Sequence, residues 1–243
     1  MRMMIFAKRC AKEILRDPVN LCFGLGFPLV LLLLLSAIQA NIPVSLFETD
    51  TLTPGITVFG LSFMSLFSAT LVAKDRESAL LQRLYTTPLT GLDFIIGYML
   101  PLLPMALAQT VICYLVAYPL GLTFGIGILY AVIGVIPIAI FYIALGLLCG
   151  SIFSAKQVGG ICGALLTNLS AWFSGIWFDL SLVGDTFNKI ADLLPFAHAA
   201  ELEKALFKGD FTGAAPHLLP VVAYSAVTTA AAVLSFIRQM KKQ

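Results

Sequence analysis

The sequence predicts an all-α membrane protein with six transmembrane helices, and three observations carry that prediction. Hydrophobic residues make up 59% of the 243 residues and charged residues only 12%. A soluble domain carries about 25% charged residues, so too little polar surface remains to cover a globule in water. Uncharged runs are long, as in residues 51–73 and 94–155. Such runs suit helices of about 20 residues crossing about 30 Å of hydrocarbon and not the alternating ten-residue segments of a barrel. Third, the charges fall into short islands between these runs.

Residues 1–20 come first. Met3, Phe6, Ala7, Cys10 and Ile14 recur at helical spacing, with Arg2, Lys8, Arg9, Lys12 and Arg16 on the remaining positions. This predicts a basic amphipathic helix in the headgroup plane. The apolar run after it is too long for the core of a signal peptide and lacks a small-x-small cleavage site. That run is the first span, 21–40, which Pro28 should kink. A loop without Lys or Arg leads to the second span, 54–73, opened by Pro54.

The charged stretch 74–90 follows. Asp75, Arg76, Glu77 and Arg83 form one edge, and Leu80, Leu81 and Leu84 the other. This predicts one amphipathic helix of about three turns, ended by Pro88. The 62 residues of 94–155 hold no charge, enough for two helices. The Pro/Gly-rich stretch YPLGLTFG divides them into spans 94–118 and 127–153. Lys156 marks a tight turn before the fifth span, 157–177, which carries Trp172 and Trp177 near its end. The segment 178–215 reads as a re-entrant outer element containing an amphipathic helix from Pro195 to Lys208, stopped by Gly209. The last span is 216–237. The five cysteines lie in or beside apolar segments with no C-x-x-C, which reads as small buried hydrophobes.

With six spans both termini share a side. That side collects five basic residues from the N-terminus, three from 74–90, Lys156 and three from the C-terminus, twelve of the 15. The positive-inside rule places the termini and the 74–90 stretch in the cytosol.

None of the predicted spans holds an Asp, Glu, Lys or Arg in its interior, so no ion or proton relay is evident. No metal cluster, nucleophile-with-base set or phosphate-binding G-x-x-x-x-G-K-[ST] occurs. The chain is not read as an enzyme and holds no cofactor, and nothing suggests a nucleic-acid partner. Active transport would draw its energy from another chain. Phe59, Phe63 and Phe67 recur on one face of the second span, and Asn168 and Trp172 lie in the fifth. The phenylalanines read either as a soft wall for an amphipathic cargo or as lipid-facing or helix-packing surface, and Asn168, near Trp172, either as a polar constriction across a two-fold interface or as a bridge between helices of one subunit. Gly146-x-x-x-Gly150 and Gly159-x-x-x-Gly163 read as close-packing stripes.

Several pieces together resemble a known family. They are Arg16-Asp17-Pro18, Thr53-Pro54-Gly55, Asp75-Arg76-Glu77-Ser78 through Arg83-Leu84-Tyr85-Thr86-Thr87-Pro88-Leu89, then Gly97, Gln109, 146–157, 169–178 and Leu194-Pro195-Phe196-Ala197-His198. In order and residue type they are similar to the permease subunits of type-2 ATP-binding-cassette exporters, which move drugs, lipids and polysaccharides. The chain departs from the family at Ser78, where glycine is common.

The resemblance implies a single permease domain over 1–243, paired with a second permease copy and with cytosolic ATPase chains that hold ATP and Mg. It implies that Asp75, Arg76, Glu77, Leu80, Leu81, Arg83 and Leu84 form a coupling helix gripped by the ATPase. It also implies export of an amphipathic or hydrophobic compound, in multidrug-resistance fashion, across a bacterial or archaeal inner membrane in contact with lipid. Two alternatives stay open: a secondary carrier or passive channel without an ATPase, and export of a polysaccharide or other glycoconjugate.

Overall fold

The computed structural model describes residues 2–86 and 89–240, with only the backbone of Arg2 and Tyr85. Thr87, Pro88, Lys241 and Lys242 lie outside the described residues. Helices carry the described chain, with no strand among them.

Helix α1 (Arg2–Leu15) buries Phe6, Ala7, Cys10 and Ile14. The expected apolar face is real, but protein covers it, not lipid. Phe6 stands edge-on to Phe94 and Tyr98 of the third long helix, at 5.6 and 4.8 Å. Gly97 permits this, since a Cβ there would lie 2.5 Å from the Phe6 ring.

Five helices among the described residues are long and apolar enough to cross a membrane. They are α2 (Pro18–Gln39), α3 (Thr49–Glu77), α5 (Gly91–Ala117, with a 3₁₀ turn Tyr118–Leu120), α6 (Gly127–Ile152) and α10 (Phe211–Met240). Asp17 caps α2 by accepting the Asn20 N–H at 3.1 Å, with Pro18 in the first helical position. The kink expected at Pro28 takes the form of a π-helical turn, Cys22–Gly26, just before it. Proline crowds the carbonyl four residues back, and a widened turn makes room for its ring. Helix α3 begins five residues before Pro54, so that proline lies inside the helix and does not open it. A reciprocal Thr90–Asp93 capping box starts α5. The break between α5 and α6 falls in the predicted Pro/Gly stretch.

The expected fifth span, 157–177, is a segmented helix, α7 (155–173). It runs as α-helix Ala155–Val158, π-helix Gly159–Leu166 and α-helix Thr167–Phe173. Three glycines loosen the π stretch, and the Thr167 hydroxyl bonds the Cys162 carbonyl five residues back at 3.0 Å. The turn before it is at Phe153–Ser154, where Ser154 and Gln157 form a capping box. Lys156 is therefore already helical.

The segment 178–215 contains the predicted helix, α9 (Pro195–Lys208), closed by Gly209 at φ 72°. It also contains α8 (Asp185–Leu193), not expected from the sequence because Gly184 offers no side-chain cap.

Helix α3 is the centre of the bundle, with 89% of its most apolar window buried. Its main neighbour is α6; α10 packs on α6, and α9 lies across α10, α6 and α3. The α3–α6 contact depends on glycine. A Cβ on Gly146 would lie 2.1 Å from the Ser65 carbonyl oxygen, and one on Gly150 2.4 Å from that of Ala69. Gly159 has no such neighbour, and one on Gly163 would meet only the Leu66 side chain at 3.3 Å. The first glycine stripe packs helices as expected; the second does not within this chain.

Candidate functional site

The stretch predicted as one three-turn helix is two pieces. Helix α3 continues through Glu77. The chain then turns at Ser78–Ala79, with Ala79 in the left-handed region at φ 57°. A short helix α4 (Leu80–Tyr85) follows. The left-handed geometry is costly for a residue with a Cβ, and no periodicity argument reveals it.

This division separates the charges. Asp75 is 1% exposed. Its carboxylate accepts both guanidinium nitrogens of Arg9 on α1 and the Tyr98 hydroxyl of α5, the latter at 2.8 Å. A buried carboxylate is tolerable only with such compensation. Arg76 points the other way and donates to the carbonyls of Ser151 and Phe153 at the C-terminal end of α6. Those carbonyls have no helical partner of their own. Glu77 accepts the Ala155 N–H at 2.8 Å where α7 begins, a favourable place for an anion.

Three consecutive residues thus join the end of α3 to α1, α5, α6 and α7. The sequence reading gave these charges to an outside partner; within this chain they already have partners. On α4, Leu81 is buried in the core, Leu80 and Leu84 are half-buried, and Gln82 and Arg83 face outward.

Within this chain the three phenylalanines are packing surface. Phe59, Phe63 and Phe67 are all buried. Phe63 meets Phe27 of α2 at 5.5 Å, and Phe59 meets Trp177 at 5.8 Å. Phe67 fills the space left by Gly24, where a Cβ would lie 2.3 Å from its ring. The spacing was correctly seen, but α2 closes over that face. Asn168 and Trp172 are exposed together with Leu165 on one side of α7, and Asn168 bonds its own helix at Ala164. At the far end of α3 from Asp75 a cavity of about 760 Å³ opens between Thr51–Leu52, the segment after α7, α8 and α9.

A family model for ABC-2 type transporters matches residues 1–205. The chain belongs to the ABC-2 type transporter family. No curated protein matches it closely enough to count as a relative. Membership makes the chain a multi-pass membrane subunit of transport, working with a separate ATPase. The match runs through the Asp75–Arg83 region and ends within α9.

Two features of this ABC-2 permease escaped the sequence reading. Arg9 and Tyr98, the partners of Asp75, are distant in sequence and look like ordinary members of their helices. The other is Glu203 on α9, fully buried, accepting the Tyr114 hydroxyl of α5 at 3.0 Å. Its second carboxyl oxygen has no partner among the described residues. A signal existed: Phe196, Ala199, Ala200 and Glu203 share one face at helical spacing, and the other three are buried. No group of three or more metal-ligating side chains forms among the described residues.

Proposed function

We propose that two copies of this permease form the membrane pathway of an exporter, with ATP and Mg held by separate cytosolic ATPase chains. The cargo is an amphipathic or hydrophobic compound that enters between the copies from the cytosol or inner leaflet. Both termini and α4 face the cytosol of a bacterial or archaeal inner membrane.

The observation that carries this reading is the arrangement around α4. A short helix with Gln82 and Arg83 outward is joined through one turn to the central helix. That helix is locked to α1, α5, α6 and α7 by Asp75, Arg76 and Glu77. Force applied to α4 reaches five helices with no flexible linker to absorb it. In this form of coupling Arg83, Leu80 and Leu84 meet the ATPase, while the three charges before them transmit. The outward side of α7 at Leu165, Asn168 and Trp172 supports a helix face for the second copy.

The experiment is ATP-driven export in vesicles reconstituted with the partner ATPase. Arg83→Glu combined with Gln82→Ala should cut export at least tenfold while the thermal midpoint stays within a few degrees. Full export by that variant, or by the permease with no ATPase present, would refute the reading.

A further inference from the structure

The cavity at the far end of α3 has a chemistry of its own. Its volume of about 760 Å³ is within the range of sites for drug-sized ligands. Phe47, Trp177 and Phe178 contribute aromatic surface, and Asp179, Asp192 and Glu201 contribute carboxylates. Only one cation, Lys204, is among its lining residues, and it is held by Glu201 at 2.8 Å. Among the described residues no cation pairs with Asp179 or Asp192. Asp179 is kept ionised, its carboxyl held below the usual range chiefly by bonds from the Ser181 side chain and backbone and, more weakly, by the charge of Lys204.

His198 and His217 complete one wall, their Nδ1 atoms 2.9 Å apart. A hydrogen bond between two Nδ1 atoms requires at least one of them unprotonated, so the pair cannot hold two full charges in this geometry. The His198 Nε2–H donates to the Asp192 carbonyl at 2.8 Å, which fixes the ring against α8. The wall therefore carries at most one positive charge against three carboxylates. Aromatic faces beside three carboxylates that share a single lysine attract a cation with apolar substituents and repel an anion of the same shape.

We infer that this cavity is a binding site for a lipophilic organic cation, which names the cargo class at the release side. The direction of travel rests on the export reading above; the binding does not. The test uses the full-length protein in nanodiscs without nucleotide, with radiolabelled tetraphenylphosphonium and its anionic counterpart of the same shape, tetraphenylborate. Counts from protein-free discs are subtracted.

Saturable binding of the phosphonium at least tenfold tighter than the borate is expected. Asp179→Asn with Asp192→Asn should weaken it at least tenfold. Asn188→Lys, which adds a cation to the lining and leaves the carboxylates in place, should do the same and guards against a folding defect in the double variant. Equal affinity for the two ions, or unchanged phosphonium binding in both variants, would overturn the inference. Vesicle export separates the two readings. Selective binding without ATP-driven export sinks the export reading alone, and export without charge-selective binding sinks this one alone.

Discussion

Arg9 and Asp75, 66 residues apart, are joined by a two-nitrogen ion pair at the base of the central helix. The partners are unequal: the Arg9 side chain is 36% exposed and that of Asp75 2%. Burial decides which loss is worse. Asp75→Asn leaves a guanidinium that can turn to water and to Glu13, already 2.5 Å away. It should cost about 1.5–3 kcal/mol, the worth of a hydrogen bond to a charged group. Arg9→Met strands a buried carboxylate with only the Tyr98 hydroxyl and should cost about 3–5 kcal/mol. The double variant should be less damaging than the sum of the two. Unfolding in detergent checks the order; an Asp75→Asn variant less stable than Arg9→Met would show that the pair is not governed by burial of the acid.

The Gly146 and Gly150 contact supplies a second prediction. Helices α3 and α6 touch backbone to backbone there, so a methyl group has nowhere to go. Gly150→Ala should destabilise the protein by about 1–3 kcal/mol through overpacking. Gly159→Ala, with no atom within 4 Å of the added Cβ, should fall within about 0.5 kcal/mol of the parent. The comparison is one of thermal midpoints under identical detergent conditions. Equal losses at the two positions would mean that the second stripe is also buried, against a second copy of the chain.

The fold was legible wherever the solvent dictates the pattern. Long uncharged runs became α2, α3, α5, α6 and α10 because hydrocarbon tolerates no exposed backbone polar groups. The stop at Gly209 and the break after Ala117 followed from local backbone chemistry. What stayed hidden depended on contacts between distant residues. Asp75, Arg76 and Glu77 look in sequence like a solvated edge, and nothing local says that Arg9, Ser151 and Ala155 will meet them. The Phe59–Phe67 stripe was seen, but whether it faces cargo, lipid or α2 depends on where α2 folds back. The turn at Ala79 broke a helix that periodicity alone would continue, since only tertiary contacts hold a residue with a Cβ at positive φ.

Glu203 gives the last prediction. It lies on α9, outside the five long apolar helices, enclosed between α5 and α6 with one oxygen bonded to Tyr114 and the other without a partner among the described residues. Burial pushes its carboxyl well above the ordinary range, and the Tyr114 hydrogen bond pulls back without restoring it. The native state therefore holds a proton that the unfolded chain releases near the usual glutamate value of about 4.3. The resulting stabilisation is complete below that value and is lost as pH rises toward the raised native pKa. The thermal midpoint of the parent should decline as pH rises above about 4.3. Glu203→Gln, neutral at every pH and still able to accept from Tyr114, should flatten that decline. Glu203→Ala should destabilise the protein at every pH, by about 1–3 kcal/mol for the orphaned hydroxyl alone. An equally steep decline in the glutamine variant would place the responsible proton elsewhere and leave Glu203 charged in the bundle, a state its surroundings provide no cation to support.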